Sequence, residues 1–221
     1  MYSKSQFNFG TKSTEYPMDC FSDFISLLSE ADRIILLAAN SLHTPTLDSL
    51  MWEISRKWTW VPLYILLSAF VFRKYNIAGG IVCLLIIAAM ITATDQTCAG
   101  IIRPVVCRLR PSSPDNPLSS LLHFVNDYRG GRFGFPSCHA ANTFALALFL
   151  SLLFKNRLFT IAIISWSLLV SYSRLYLGVH YPSDILGGLL IGALFAILSH
   201  SIMAYSLHLF TKSNLLSMTR G

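Results

Sequence analysis

Residues 136–155 read PSCHAANTFALALFLSLLFK, in which a polar start carrying Ser137 and His139 leads into a mainly apolar run without a charge before Lys155. An apolar run of roughly 17–25 residues can cross the hydrocarbon core of a bilayer as a helix. The segment therefore predicts a membrane helix at about residues 138–155 with a titratable side chain at one mouth. Because polar and ionisable groups are costly there, they indicate a functional site.

The rest of the chain repeats this apolar pattern. Of its 221 residues, 53% are hydrophobic and 13% are charged, whereas soluble domains carry about 25% charged residues. Four more apolar stretches lie at about 58–73, 78–102, 158–174 and 184–207. We therefore expect an all-α, polytopic membrane helix bundle with about five transmembrane helices.

The N-terminal part differs from these stretches. Within residues 22–42, Glu30, Asp32 and Arg33 interrupt the apolar residues, which favours an amphipathic helix lying on the membrane, with a true span as the alternative. We expect an N-terminal tail and interfacial helix at 1–57, a membrane domain at 58–210 and a C-terminal tail at 211–221. The long connection 103–137 is a candidate lid or substrate-contacting segment.

Charge placement restricts partners and orientation. The net charge is +6, but the basic residues lie between spans and form no continuous stripe, so nucleic acid is not expected as a partner. One face of the bundle receives basic residues without acids: Arg73, Lys74, Lys155, Arg157, Lys212 and Arg220. The positive-inside rule makes that face cytoplasmic. The site would then face the periplasm from a bacterial inner membrane.

Alternation of the five spans brings the candidate site residues to the opposite face. These are Arg103, Arg110, Ser137, Cys138, His139, Arg174, His180 and Asp184. Arginine forms paired hydrogen bonds with phosphate oxygens, and a neutral imidazole is a nucleophile near pH 7. Asp184 lies one helical turn after His180 and can hold its other nitrogen. The pattern predicts phosphoryl transfer at a membrane surface.

The same residues form three spaced motifs. Arg103-x6-Arg110-Pro111, Pro136-Ser137-Cys138-His139 and Ser173-Arg174-x5-His180-x3-Asp184 resemble the K-x6-R-P, P-S-G-H and S-R-x5-H-x3-D motifs of the type 2 phosphatidic acid phosphatase superfamily. Arginine replaces the lysine of the first motif, and Cys138 replaces the glycine of the second. If the loop needs a positive φ, Cys138 would lower activity; otherwise only its backbone amide matters.

The resemblance implies a role for each residue. His180 would attack phosphorus and form a phosphohistidine, Asp184 would orient it, and His139 would protonate the leaving oxygen. Arg103, Arg110 and Arg174, with Ser137 and the amides at Cys138, would hold the phosphate. No cofactor and no metal are expected, since no carboxylate cluster suits Mg²⁺.

Each assignment has a structural alternative. His180 and Asp184 could form a helix cap, His139 could merely open a helix at the interface, and the arginines could snorkel to headgroups. Arg108 and Arg132 fit that last alternative nearly as well as a substrate role. Asp95, inside a span, is either close to the site or a contact between helices.

The five cysteines form no CxxC pair, so neither a disulfide framework nor a zinc site is expected.

The sequence thus predicts a lipid phosphatase that hydrolyses a phosphomonoester or pyrophosphate, with undecaprenyl pyrophosphate or lipid A favoured. The extra charges Arg108, Arg129 and Arg132 favour such multiply charged headgroups. Phosphatidylglycerol phosphate and phosphatidic acid are alternative substrates, and no obligatory protein partner is expected. Other classes are a non-catalytic phospholipid binder or transporter, and a vanadium-dependent haloperoxidase.

Overall fold

The computed structural model describes residues 20–218, with side chains for 27–209, and this part of the chain forms eight α-helices. They are α1 (Cys20–Asn40), α2 (Pro45–Ser55), α3 (Val61–Lys74), α4 (Ile77–Asp95), α5 (Arg103–Val106), α6 (Cys138–Phe154), α7 (Arg157–Tyr176) and α8 (Pro182–Met218). Within residues 20–218 there is no strand, only an isolated bridge between Leu109 and Phe133. The all-α class is confirmed.

Three helices of this part are long and apolar enough to cross a membrane: Ile77–Val106, Arg157–Tyr176 and Pro182–Leu209. The first of these combines α4, a π-helical stretch and α5. Its outer surface and that of α8 expose large apolar side chains such as Leu85 and Leu190, which suit a lipid environment. The chain is therefore a membrane protein.

The other two predicted spans are shorter helices. At 1.5 Å per residue, the 14 residues of α3 and the 17 residues of α6 extend over about 21 and 25 Å. Both lengths are below the roughly 30 Å of a hydrocarbon core. Helix length therefore supports three crossings directly, and the predicted count of about five is not established by it.

Helix α6 lies at the centre of the bundle and packs against α4, α7 and α8. Small residues permit its close approach to α8. A Cβ atom at Gly188 would lie 2.5 Å from Ser137 O, and one at Gly192 would lie 2.4 Å from Ala141 O. These contacts fix the start of α6 against the start of α8, which is where the motif residues lie.

The N-terminal segment contains two helices where the sequence predicted one. Helix α1 buries Asp32 and Leu36 while Leu27 and Ile34 remain exposed, as expected of an amphipathic helix. Asn40 Nδ2, at its end, donates to Tyr176 O (2.8 Å), which attaches α1 to α7. The interfacial position of α1 remains a prediction.

The expected basic face lies at the end of the bundle where α3 and α6 finish and α7 begins. Lys74 Nζ, for example, donates to Leu153 O at 2.6 Å. Of the predicted N-terminal tail and interfacial helix at 1–57, residues 1–19 lie outside the described part of the chain. Helix α8 continues to Met218, into the segment expected to be a tail. The side chain of Lys212 and the whole of Arg220 also lie outside the described part.

Candidate active site

All eight site residues expected from the sequence lie at one end of the bundle. Arg103 opens α5, and Arg110 follows in the loop. Ser137, Cys138 and His139 form the start of α6, and Arg174 lies in the last turn of α7. His180 lies just before α8, and Asp184 lies in its first turn. Most of these side chains are buried. Residues separated by up to 81 positions, between Arg103 and Asp184, thus form one cluster.

His180 lies in the turn between α7 and α8 and is 1% exposed. Its Nε2 atom is 2.8 Å from Arg110 Nη1, and its Nδ1 atom is 3.3 Å from Asp184 Oδ2. Because a guanidinium only donates, Nε2 accepts and Nδ1 carries the proton. Burial, reinforced by the charges of Arg110 and Arg174, holds the pKa of His180 well below its ordinary 6.5. The imidazole is therefore neutral near pH 7, with its lone pair on Nε2.

Arg110 is held by the backbone of two segments. Its Nε atom donates to Phe133 O and its Nη1 atom to Val179 O, both at 3.0 Å. Burial and the charges of Arg103 and Arg174 lower the pKa of Arg110 to about 10. The guanidinium therefore remains charged at neutral pH, fixed beside Nε2 of His180.

Arg174 is 3% exposed and is oriented by two side chains that the motifs do not include. It donates to the hydroxyl of Ser55, at the end of α2, and to Tyr128 Oη at 3.2 Å. Neither partner carried a signal in the sequence, because each comes from a segment whose position depends on the tertiary fold.

Arg103 reaches the start of α6. Its Nη2 atom lies 3.0 Å from Pro136 O and 2.9 Å from Cys138 Sγ. The Nε atoms of both Arg103 and Arg174 are buried and have no hydrogen-bond partner among the described residues. Both arginines lie within electrostatic range of Arg110, and a group of arginines with unsatisfied N–H donors suits an oxyanion, which accepts several charge-assisted hydrogen bonds.

The start of α6 presents backbone donors to the same region. Ser137 caps the helix, with its Oγ accepting from Ala140 N at 3.5 Å, and its own N–H donates to Asp184 O at 2.9 Å. Ser137 thus has a structural role besides the expected phosphate contact. The N–H groups of Cys138 and His139 lie in the first turn, where a helix favours negative charge.

Cys138 occupies the glycine position of the second motif without backbone strain. It is the first residue of α6, and it is not among the non-glycine residues with positive φ. The condition under which cysteine would impair the site, a required positive φ, is therefore not met. Its backbone N–H lies in the first turn of α6, where the N–H of a glycine at this position would also lie.

His139 is half-buried and lines a cavity beside the cluster. Within residues 27–209, its imidazole forms no hydrogen bond. It lies within electrostatic range of His180 and of all three arginines. A proton donor at this place would be adjacent to the oxygen that leaves a phosphate held by the cluster.

The structure corrects the interpretation of Arg108. Its Nη1 atom lies 2.8 Å from Asp184 Oδ1, and its Nη2 atom lies 2.6 Å from Asp32 Oδ2 on α1. Ser183 bonds to two of these residues: its hydroxyl accepts from Arg108, and its N–H donates to Asp32 Oδ1 at 2.9 Å. Arg108 therefore neither snorkels nor points freely to substrate. The sequence signal that was missed is Asp32 itself, an acid inside an apolar helix segment.

Two other loop arginines are likewise engaged within the chain. Arg129 donates to Ser119 Oγ at 2.6 Å and lies over the ring of Phe124. Arg132 forms an exposed ion pair with Asp115 at 3.0 Å. These arginines, together with Arg108, therefore do not support the argument for a multiply charged headgroup that the sequence suggested.

An apolar cavity of about 490 Å³ adjoins the cluster. Cys138 and His139 line its end near the site, and side chains of α3, α4, α6 and α7 form its walls, among them Leu67, Ile87, Leu146 and Val170. A cavity of this kind can hold hydrocarbon while the arginines hold a phosphate. Within the described residues, no group of three or more His, Cys, Asp or Glu side chains is arranged to hold a metal ion.

Comparison with known proteins identifies the family. The family model described as the PAP2 superfamily matches residues 78–207, which is more than half of the chain. The chain therefore belongs to the PAP2 superfamily, and it is a membrane phosphatase.

Curated relatives cover most of the chain. It is 43% identical to the lipid A 4'-phosphatase of Bacteroides thetaiotaomicron over 81% of this chain and 82% of that protein. It is 35% identical to the lipid A 4'-phosphatase of Porphyromonas gingivalis over 83% of this chain and 75% of that protein. It is 32% identical to an undecaprenyl-diphosphatase of Sulfolobus acidocaldarius over 71% of each.

Solved structures share the fold. The PAP2-type phosphatidylglycerolphosphate phosphatase of Bacillus subtilis has a TM-score of 0.55 and 25% identity, covering 82% of this chain and 92% of that one. LpxE of Aquifex aeolicus has a TM-score of 0.53 and 24% identity, covering 78% of this chain and 94% of that one. The helical arrangement is therefore that of membrane PAP2 proteins.

Proposed function

We propose that this PAP2 superfamily member removes a phosphate from lipid A, with His180 as the nucleophile. The observation that carries the reaction is the neutral, buried His180, held between Arg110 and Asp184 (2.8 and 3.3 Å) beside two further arginines. The choice of lipid is supported by the 43% identity to a lipid A 4'-phosphatase over most of the chain.

Binding places the phosphate among Arg103, Arg110 and Arg174 and against the amides at the start of α6. The phosphate oxygens satisfy the free Nε atoms of Arg103 and Arg174. They also compete for Arg110 Nη1, which otherwise bonds to His180 Nε2. Release of that bond exposes the Nε2 lone pair to phosphorus. Fixed guanidinium groups then stabilise the charge spread over the equatorial oxygens.

In the first chemical step, His180 Nε2 forms a bond to phosphorus while the bond from phosphorus to the lipid oxygen breaks. The negative charge of the bound phosphate favours the protonated form of His139. His139 donates this proton to the leaving oxygen, because an alkoxide is a poor leaving group. Asp184 accepts the Nδ1–H hydrogen bond and stabilises the imidazolium character that develops on His180. The products are the dephosphorylated lipid and a phosphohistidine.

In the second step, water replaces the imidazole on phosphorus. His139, now neutral, removes the proton from the attacking water, and His180 regains its lone pair as inorganic phosphate leaves. Each residue thus returns to its initial protonation state. All groups in both steps come from the chain, the lipid and water. The reaction is therefore expected to proceed in the presence of EDTA.

The membrane arrangement forms part of this proposal. We infer that α3 and α6 complete a set of five crossings together with the three long helices, and that α1 lies at the interface. Basic residues at the end opposite the cluster support a cytoplasmic location for that end. The reaction then takes place at the periplasmic face of a bacterial inner membrane.

Undecaprenyl diphosphate is the second candidate substrate. It is favoured by the 32% identity to an undecaprenyl-diphosphatase over 71% of the chain. Phosphatidylglycerol phosphate and phosphatidic acid are weaker candidates; a phosphatidylglycerophosphatase B of Bacillus subtilis is 27% identical. A binder without turnover was suggested only by Cys138, and the unstrained start of α6 removes that support.

The test is phosphate release by the purified protein in detergent, in the presence of EDTA, from lipid A, undecaprenyl diphosphate, phosphatidylglycerol phosphate and phosphatidic acid. We expect the fastest release from lipid A. His180→Ala should abolish release, and a quenched reaction with labelled substrate should show acid-labile phosphohistidine only in the parent protein. His200→Ala is the matched control, since His200 lies at the opposite end, beside Lys74 and Lys155.

Three outcomes would contradict the proposal. Turnover of another lipid in preference to lipid A would remove the substrate assignment while leaving the chemistry intact. Normal release by His180→Ala, or loss of release with EDTA that Mg²⁺ restores, would contradict the mechanism.

A further inference from the structure

Asp95 is an acidic side chain in an apolar membrane helix that the proposed mechanism does not use. It lies at the end of α4 and lines the cavity that adjoins His139. Among the described residues it forms no ion pair, and its one side-chain hydrogen bond is from Asn142 Nδ2 to Oδ1 at 3.2 Å. An ionisable group inside a membrane span is costly and indicates a functional site.

The bond with Asn142 fixes the orientation of both groups. An ionised carboxylate only accepts, so the amide nitrogen of Asn142 faces Asp95. This leaves Asp95 Oδ2 without a hydrogen bond to any described residue. The cavity that Asp95 lines is formed by aliphatic and aromatic side chains together with a few polar ones, among them Lys57 and Thr143. The wall of the cavity therefore carries two acceptors that hydrocarbon cannot satisfy, Asp95 Oδ2 and the buried Asn142 Oδ1, which has no hydrogen-bond partner among the described residues.

The depth of these acceptors below the phosphate site is defined by α6. Asn142 follows Cys138 by four residues, which places it about 6 Å further along the helix axis. A hydrogen bond of 3.1 Å from Ser167 to the neighbouring Thr143 fixes α7 at the same level. A lipid whose phosphate lies in the arginine cluster would thus place the first few atoms of its chain beside Asp95.

We propose that Asp95, held by Asn142, is a subsite for a hydroxyl group on the lipid chain near the headgroup. The hydroxyl donates to Asp95 Oδ2 while the rest of the chain fills the apolar cavity. The occupant is the acyl chain of the substrate, since the cavity is continuous with His139. The subsite rests on the proposed function and deepens it, because it distinguishes hydroxyacyl lipids from polyprenyl chains, which are hydrocarbon throughout.

The experiment compares two synthetic lipids, diacylated glucosamine 4-phosphates that differ only in a 3-hydroxyl group on the acyl chains. We expect kcat/KM to be about tenfold higher for the hydroxylated lipid, the effect of one hydrogen bond, and the difference to lie in KM. Asp95→Leu should bring the ratio close to one by raising KM for the hydroxylated lipid. Asp95→Asn, which keeps the shape, should leave an intermediate ratio.

Thr94→Val is the matched control on the same helix. Thr94 is buried and its hydroxyl bonds only to Met90 O of its own helix (2.7 Å), so this variant should keep the tenfold ratio. If Asp95 served only to join α4 to α6, Asp95→Leu would lower the melting temperature and slow both lipids equally. Equal rates of the parent protein on both lipids, or an unchanged ratio in Asp95→Leu, would overturn the subsite.

A second readout separates this inference from the proposed function. Trp60 and Trp166 line the cavity, so lipids brominated on the acyl chain should quench tryptophan fluorescence on binding. If the protein releases phosphate from neither lipid, the proposed substrate is wrong. Tighter quenching by the hydroxylated lipid, lost in Asp95→Leu, would still support the subsite, and equal quenching would overturn it.

Discussion

Arg108 Nη1 lies 2.8 Å from Asp184 Oδ1, while the other oxygen of the same carboxylate faces His180 Nδ1 at 3.3 Å. The carboxylate that contacts His180, the proposed nucleophile, is thus itself held by an arginine. Arg108 is held in turn by Asp32 on α1, at 2.6 Å. The N-terminal helix is thereby connected to the candidate active site through two ion pairs, Asp32 with Arg108 and Arg108 with Asp184.

We expect Arg108→Ala to lower kcat by about tenfold with little change in KM, because Asp184 would lose the partner that fixes it, at a cost of about 1.4 kcal/mol in the transition state. The measurement is steady-state phosphate release. Arg132→Ala is the control, since its ion pair with Asp115 is exposed and such pairs contribute little. A reduction confined to KM would instead place Arg108 on the substrate.

His139→Ala should slow phosphoenzyme formation in proportion to the basicity of the leaving group. On a lipid phosphate we expect a loss of about 10²–10⁴-fold, the usual contribution of general acid catalysis. A nitrophenyl phosphate needs no proton on its leaving oxygen and should lose much less. Rapid-quench measurement of the phosphoenzyme on both substrates gives the comparison. Equal losses would show that His139 is not the acid.

Cys138→Gly should keep the activity of the parent protein within about twofold. Cys138 begins α6 without a positive φ, so a change to glycine relieves no backbone strain. The lower helix propensity of glycine costs about 1 kcal/mol of stability in a helix interior, and less at a helix end. Rates of phosphate release and the melting temperature provide the test. A large gain in rate would mean that the cysteine side chain obstructs the site.

Gly188→Ala should destabilise the bundle and displace the site. Its Cβ would lie 2.5 Å from Ser137 O, so α8 would have to move away from α6, and overpacking of this kind costs about 1–3 kcal/mol. Melting in detergent and phosphate release should both decrease. Gly131→Ala, which meets nothing within 4 Å, should change neither. Normal melting of Gly188→Ala would contradict the packing described for α6 and α8.

The pH profile should reflect the environment of His180. Burial and the charges of Arg110 and Arg174 lower its pKa well below 6.5, and only the neutral imidazole attacks. As the pH falls through 6.5, His180 therefore stays neutral, and its acidic limb in kcat/KM appears at lower pH. Ionisation of the substrate phosphate also gives an acidic limb in kcat/KM. Substrates with different second phosphate pKa values distinguish the two, because the limb from the substrate moves with that pKa whereas the limb from His180 stays at the same pH. A fixed limb near 6.5 would contradict this environment.

Some features of the site were predictable because they depend on short stretches of chain. The apolar run after His139 predicts a helix that begins there, and Asp184, four residues after His180, lies within reach of its ring. The arginine at the end of α7 was placed by alternation of the spans. These inferences use hydropathy and helical spacing, which a linear sequence contains.

By itself, then, the sequence determined the all-α membrane class, the three motifs and the end of the bundle at which they meet. Only the tertiary structure decided that Arg108 holds Asp184 and Asp32, which is 76 residues away. It also decided that Ser55 orients Arg174 across 119 residues, and that Asp95 faces a cavity. The physical reason is that hydropathy and periodicity fix where helices begin and end, whereas the partner of a buried charge depends on which helix faces pack together, and close contacts such as those at Gly188 select that packing.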